Sequence, residues 1–191
     1  MTRVKDQLGY LYLALLAVAS WLLVELAGVD DGQNRPIPPH SPDFFSQGYS
    51  KWQMGKAGQA DSELLAGKIV HYSDDRTTHL EQPEMVFHQD QHTSPWAIHA
   101  ESGEVSADSK NVLLQGRVNI ERKASGNAKP LKIITSNLKV KPETHYAETD
   151  ERAELISLQN KTTGTGMKLV FKQPVRIDLL ADVQGKYETQ R

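Results

Sequence analysis

Hydrophobic and polar positions divide the chain into two parts with different periods. From Leu8 to Gly28 the run LGYLYLALLAVASWLLVELAG is apolar apart from Glu25. About 20 such residues, at 1.5 Å each, carry a helix across a hydrocarbon core. Beyond Gly28 no stretch sustains a 3.6-residue apolar period, and alternation takes over. Trp96, Ile98 and Ala100 share one parity, as do Val112, Leu114, Gly116, Val118 and Ile120. Leu131, Ile133 and Thr135 continue the theme, followed by Leu138 and Val140. In the last run Met167, Leu169, Phe171, Val175, Ile177, Leu179, Ala181, Val183 and Tyr187 are odd-numbered, while Lys168, Lys172, Arg176, Asp178, Asp182 and Lys186 take the other parity. Alternation at period two is the mark of half-buried strands. Pro174 interrupts the last run and predicts two strands, or a broken edge strand. Turn residues separate the runs at Ser73-Asp74-Asp75, Asp108-Ser109, Ser125-Gly126-Asn127 and Gly164-Thr165-Gly166. Short strands spaced by about 8–12 residues predict an all-β sandwich, barrel or jelly roll.

Ala66, Ala100 and Thr135 each follow an alternating apolar run, and they recur at intervals of about 35 residues. A strand, turn and return strand occupy such a length, so successive layers are expected to stack. The predicted organisation is a short cytoplasmic segment (1–7), a transmembrane helix (8–28), a proline-rich linker (29–43) and a β domain (44–191). Prolines 36, 38, 39 and 42 make the linker extended and semi-rigid. Arg3 and Lys5 precede the apolar run and Asp30 and Asp31 follow it, which leaves the N-terminus cytoplasmic and sends the β domain outward. A cleaved signal peptide ending at Ala17-Val18-Ala19 is the competing reading; the apolar run continues past it through Trp21, Leu22, Leu23 and Val24, which favours an uncleaved anchor. Glu25 either snorkels to the interface or contacts a partner helix.

Composition changes this picture mainly by exclusion. With 191 residues, net charge −2 and no cysteine, the chain offers no basic footprint for nucleic acid, no disulfides and no thiolate chemistry. Its seven histidines (40, 71, 79, 88, 92, 99 and 145) are scattered and read as surface residues, not as a zinc set. The carboxylate pairs Asp74-Asp75 and Asp150-Glu151 stand in turn-like sequence, where aspartate is favoured for its backbone hydrogen bonds. No nucleophile elbow, phosphate loop or dinucleotide fingerprint occurs. No catalytic residue, metal or cofactor is expected.

Ordered motifs from Gly58 to Glu188 resemble the LptC family of the lipopolysaccharide export machinery. They are Gly58, Leu64-Leu65-Ala66, His71-Tyr72-Ser73-Asp74, Gln82-Pro83, Trp96 to Ala100, Leu114 to Ile120, Ile134 to Asn137, Thr149-Asp150, Gly166-Met167-Lys168 and Tyr187-Glu188. Asn160 departs from that pattern, where relatives can carry glycine. The resemblance implies an open antiparallel β-jelly roll behind a single inner-membrane span, facing the periplasm. It implies a protein that receives lipopolysaccharide from the LptBFG transporter and passes it to LptA, without hydrolysing ATP.

A curved β fold with one apolar face can shelter acyl chains while sugars and phosphates stay wet. Candidates for that face are Trp96, Ile98, Val118, Ile120, Phe171, Ile177 and Tyr187, with Leu80 added because the resembled family lines its cavity nearby. The bland alternative for each is a place in a filled core. A free terminal strand can pair with another β domain. Gly166, Met167, Leu169, Leu179 and Val183 are candidates for an LptA-facing edge, and Glu25 and Gly58 for contact with the transporter. Two other functions remain open: a periplasmic scaffold that pairs by strand addition and binds no lipid, and an anchored hydrolase, which would need converging polar side chains.

Overall fold

A computed structural model describes residues 2–26, 40–89, 93–126 and 128–187, with helix side chains described from Tyr10 onward. The chain forms two units, Met1–Pro38 and Pro39–Arg191. In the first, helix α1 spans Thr2–Leu26, and its side chains from Tyr10 to Leu26 are all exposed. Among the described residues no helix is long and apolar enough to cross a membrane. The side chains described for α1 stop short of the roughly 20 apolar residues a crossing takes, and residues 27 and 28 of the expected span lie outside them. The expected linker lies outside the described residues up to residue 39. Its last two positions already belong to a strand, so ordered β structure begins at Pro42 and not at Phe44.

Among the described residues the second unit holds ten strands: β1 (Pro42–Met54), β2 (Ala60–Tyr72), β3 (Thr78–Glu81), β4 (Glu84–Phe87), β5 (Trp96–Val105), β6 (Val112–Arg122), β7 (Leu131–Lys141), β8 (Tyr146–Ser157), β9 (Asn160–Val170) and β10 (Arg176–Lys186). They form one sheet in the order β1-β2-β3-β5-β6-β7-β8-β9-β10, with β4, like β3, paired to both β2 and β5. The pairings are antiparallel. Gln82, at φ +51°, and Pro83 break what would otherwise be one strand into β3 and β4. Pro174 lies between β9 and β10, so the last alternating run is indeed two strands.

The strands bend along a common line. Register slips between Ala100 and Ser102 in β5, Leu114 and Arg117 in β6, Ile134 and Lys139 in β7, Thr149 and Arg152 in β8, and Ala181 and Gln184 in β10. Left-handed backbone accompanies the line at Gly48, Gln82, Gly116, Asn137, Gly166 and Asp182. Bulges of this kind kink a strand and increase its twist. The run Gly164-Thr165-Gly166, expected to be a turn, therefore lies inside β9, and Asp150-Glu151 lies inside β8.

Bending lets the sheet curl until its two flanks meet. Phe87 on β4 stacks on Phe171 at the end of β9 with ring centroids 4.8 Å apart, although β5 to β8 separate these strands in the sheet. Trp96 meets Phe171 edge-on at 5.7 Å. All three are fully buried, together with Ile98, Leu114, Val118, Ile120, Ile133, Leu138, Met167 and Leu169. Each such burial contributes about 1.5–3 kcal/mol.

Gly116 tests the bend. At φ +75° it is left-handed, and an added Cβ would stand 3.2 Å from the Cβ of Glu101. Gly116→Ala is expected to lower stability by about 1–2 kcal/mol in urea unfolding. Gly67→Ala meets only ordinary contacts, from 3.5 Å outward, and should be neutral or slightly stabilising.

Candidate functional site

At one end of the roll, where the β5–β6 and β7–β8 turns approach β1 and β2, a cavity of about 260 Å3 opens. Its apolar wall is Tyr49, Leu64, Leu80, Met85, Val105 and Val112. The period-two pattern explains this wall. Tyr49, Lys51 and Gln53 alternate inward on β1, while Trp52 and Met54 point out and are exposed. Among the described residues Glu63, Asp108 and Glu143 line the cavity against one cation, Lys51, so its charged lining is acidic. The Ser106 hydroxyl, then the Lys110 backbone N–H, hold the Asp108 carboxyl below the usual carboxylate range.

A buried polar clasp joins the same flanks. His145, left-handed at φ +52° after the 3-10 turn Pro142–Thr144, places Nε2 3.2 Å from Asp61 Oδ1 on β2. The side chains are 6% and 21% exposed. The His145 ring packs against Phe87 at 5.6 Å, and its carbonyl accepts the Phe171 N–H at 2.8 Å. The His88 N–H donates to the Asp61 carbonyl at 2.9 Å, and the Gln89 side-chain amide donates to the Phe171 carbonyl. His145 is thus not the surface residue the sequence suggested. Beside it, burial and then a hydrogen bond to Glu148 push the Tyr146 phenol up to about 12.

Of the expected groove residues, only Leu80 lines this cavity. Trp96, Ile98, Val118, Ile120 and Phe171 are fully buried and fill the interior, because the curled sheet presses its flanks together over them. Ile177 is partly buried against that core, and Tyr187, past the end of β10, is exposed. Of the expected edge residues, Gly166, Met167 and Leu169 sit on β9, an inner strand between β8 and β10; Met167 and Leu169 pair with both neighbours, and Gly166 falls at the slip. They do not lie on a free edge, since β9 is flanked by a strand on each side. Leu179 and Val183 do lie on β10, the terminal strand of the sheet; Leu179 packs on the core and Val183 is exposed. The other terminal strand is β1, with Phe44, Phe45, Trp52 and Met54 exposed. Gly58 lies in the β1–β2 turn at φ +79°, and Glu25 lies on α1. Tyr49 and Met85 were not picked out from the sequence, and Leu64 only as part of a motif: β1 mixes exposed aromatics with polar residues, and β4 is too short to show a period.

One cluster has the residue types of a metal site. His40 Nδ1 lies 3.2 Å from Asp74 and 3.7 Å from Asp75, and the three ligand-type atoms fall within 4.8 Å of one another. The His40 ring stacks on Tyr72 at 4.1 Å. All three ligand-type residues are exposed, and a protonated imidazole would satisfy both carboxylates without an ion. As expected, Asp75 acts as a turn residue: the Thr77 backbone N–H and then its hydroxyl hold the carboxyl below its ordinary range. His92 lies outside the described residues.

The family model described as lipopolysaccharide-assembly, LptC-related, matches residues 11–188. No curated protein matches the chain in sequence. Among solved structures the chain is similar to LptH of Pseudomonas aeruginosa, the LptA-homologous periplasmic component of a lipopolysaccharide transport device. That similarity has TM-score 0.51 and 8% identity, over 67% of this chain and 95% of that one. At that identity the likeness shows the fold alone: a mostly antiparallel, LptA-like jelly roll.

The clasp yields a stability test. Asp61→Ala and His145→Phe should each cost about 1–3 kcal/mol in urea unfolding, because each removes one partner of the pair and leaves the other without its hydrogen bond. The double variant should lose less than the sum, with a coupling of about 1 kcal/mol. Additive losses would show that the two side chains act separately.

Proposed function

Because the chain belongs to the LptC-related family of lipopolysaccharide-assembly proteins, we propose that it is a membrane-anchored conduit that receives lipopolysaccharide from the LptBFG transporter and passes it to LptA. A role in lipopolysaccharide transport follows from the family. The observation that carries the finer reading is the apolar-walled cavity of Tyr49, Leu64, Leu80, Met85, Val105 and Val112 at one end of the roll. Its 260 Å3 sits below the roughly 300–1,000 Å3 of ordinary ligand pockets. It takes the end of one acyl chain, not a whole multi-chain lipid. Its acidic lining turns phosphates away, so the apolar end of the cargo enters.

The anchor is α1, whose side chains from Tyr10 to Leu26 form an unbroken apolar surface apart from Ser20 and Glu25. With Arg3 and Lys5 ahead of it, the N-terminus stays cytoplasmic and the β domain is periplasmic at the inner membrane. Partners join at the terminal strands. β10, with Leu179 and Val183, meets LptA by strand addition, and β1 with Gly58 at its turn meets the transporter. Glu25 is the anchor's polar contact. A scaffold that pairs by strand addition without lipid is the second reading. It is favoured by the filled interior around Trp96 and Phe171.

A photo-reactive amino acid at Leu64, Leu80 or Tyr49 should crosslink to lipopolysaccharide in cells, whereas one at the exposed Glu81 should not. Equal labelling at both, or none at the cavity, favours the scaffold. Deleting the residues after Pro174 should abolish capture of LptA and leave transporter association unchanged. Retained LptA capture would remove β10 from the proposal.

A further inference from the structure

The bend that closes the interior also shapes the outer face. Arg117 is the first paired residue after the slip in β6 and stands opposite Ser136 on β7. Arg152 is the first paired residue after the slip in β8. Bulges re-aim side chains, and here Arg117, Ser136 and Arg152 come to line one depression of about 330 Å3 with Ile134, Thr135 and Glu154. A second depression of about 210 Å3 shares Arg117 and adds His99, Ala100, Glu101 and Asn119.

The charges around the two guanidiniums decide what this face can hold. Glu154 is bound to Lys161 at 2.6 Å, and Glu151 accepts the Asn137 amide at 3.2 Å. Glu121 is bound to Lys132 at 2.8 Å, and His99 faces Glu84 at 3.8 Å. Glu101 is the carboxylate left beside Arg117, and its side chain packs over Gly116. Among the described residues neither Arg117 nor Arg152 has a carboxylate within ion-pair distance. Two cations that share a depression repel each other, and an anion between them relieves that cost. Guanidinium is planar with five donors, and it matches phosphate oxygens in bidentate fashion better than an ammonium does. The Ser136 hydroxyl adds a neutral donor between them.

We propose that Arg117 and Arg152, with Ser136 between them, form an anion site on the outer face of the β domain that binds a phosphate group. The site has the polarity opposite to the acidic cavity, and it stands whether or not the cavity takes an acyl chain. Phosphate can come as a free ion or as the headgroup of a phosphorylated glycolipid, and the two are separable.

The experiment is calorimetric titration of the full chain in non-ionic detergent, first with inorganic phosphate and then with a phosphorylated glycolipid in non-ionic micelles. Arg117→Gln combined with Arg152→Gln should weaken binding by about tenfold or more, since it removes the charge-assisted hydrogen bonds to the anion. Both arginines are exposed, so the melting temperature should not move. Glu101→Gln should tighten binding, because it removes the carboxylate beside Arg117 that, among the described residues, no cation pairs. Lys110→Gln combined with Lys123→Gln removes the same charge elsewhere and should change little. Binding of both probes assigns a free phosphate, and binding of the micellar probe alone assigns a headgroup. The site is overturned if neither probe binds, if the arginine variant binds as the parent does, or if the lysine variant loses as much.

Discussion

A single antiparallel sheet with one apolar face can hide that face from water only by folding onto itself. Here the fold is made along one line that crosses strand after strand. At that line register slips in β5, β6, β7, β8 and β10, and left-handed residues such as Gly116, Asn137, Gly166 and Asp182 stand on or beside it. Without it the strands would run straight, and Phe87 and Phe171 could not stack across four intervening strands. The cavity, the clasp and the outer arginine pair all follow from the same bend. The clasp locks the flanks that the bend brings together, and the cavity is the space left beside it. Arg117 and Arg152 owe their shared depression to the extra residues at the slips.

Much of this was legible in the sequence, because alternation records which face is buried. β6 is the clean case: Val112, Leu114, Val118 and Ile120 are buried as their parity requires, even though register slips between them. The recurrence of Ala66, Ala100 and Thr135 also finds its cause. Ala100 and Thr135 sit at the slips of β5 and β7, and Ala66 lies where β2 passes from pairing with β4 to pairing with β3. The errors have a common physical source. Glycine with positive φ suits a chain-reversing turn and a bulge inside a strand equally well, so Gly164 to Gly166 read as the former and proved the latter. Parity tells which residues face inward, but it does not tell whether the inward space is filled or open. Trp96 and Phe171 were therefore indistinguishable in sequence from Leu80. His145 carried no signal at all, since its burial depends on Asp61, more than 80 positions away.

The distribution of charge separates what the two surfaces can do. The interior is filled with aliphatic and aromatic side chains up to the cavity, where Glu63, Asp108 and Glu143 set an acidic lining. An amphiphile with phosphates on its headgroup meets repulsion there, and only its apolar end lowers its free energy by entering. The outer face at the bend has the reverse arrangement, with two arginines at the depression, Glu154 and Glu121 paired to Lys161 and Lys132, and Glu101 the carboxylate beside Arg117 that, among the described residues, no cation pairs. One sheet thus carries an apolar core on its concave side and an arginine pair on its convex side.

The terminal strands raise a different constraint. A free edge with exposed apolar residues invites pairing with any other strand, and this sheet has two: β1 with Phe44, Phe45, Trp52 and Met54, and β10 with Leu180 and Val183. Proteins commonly protect edges with inward charges, prolines or covering loops, yet both of these strands run eleven residues or more. Long, exposed and apolar edges at both ends of one sheet are costly in a monomer, and they are useful in a chain of β domains joined edge to edge. In such a chain the concave faces would align, and a cavity too small for a whole lipid would become one station along a shared surface. The small cavity and the two open edges then describe the same design. In such a chain, shelter for a large amphiphile would come from continuity between domains, each domain supplying only part of it.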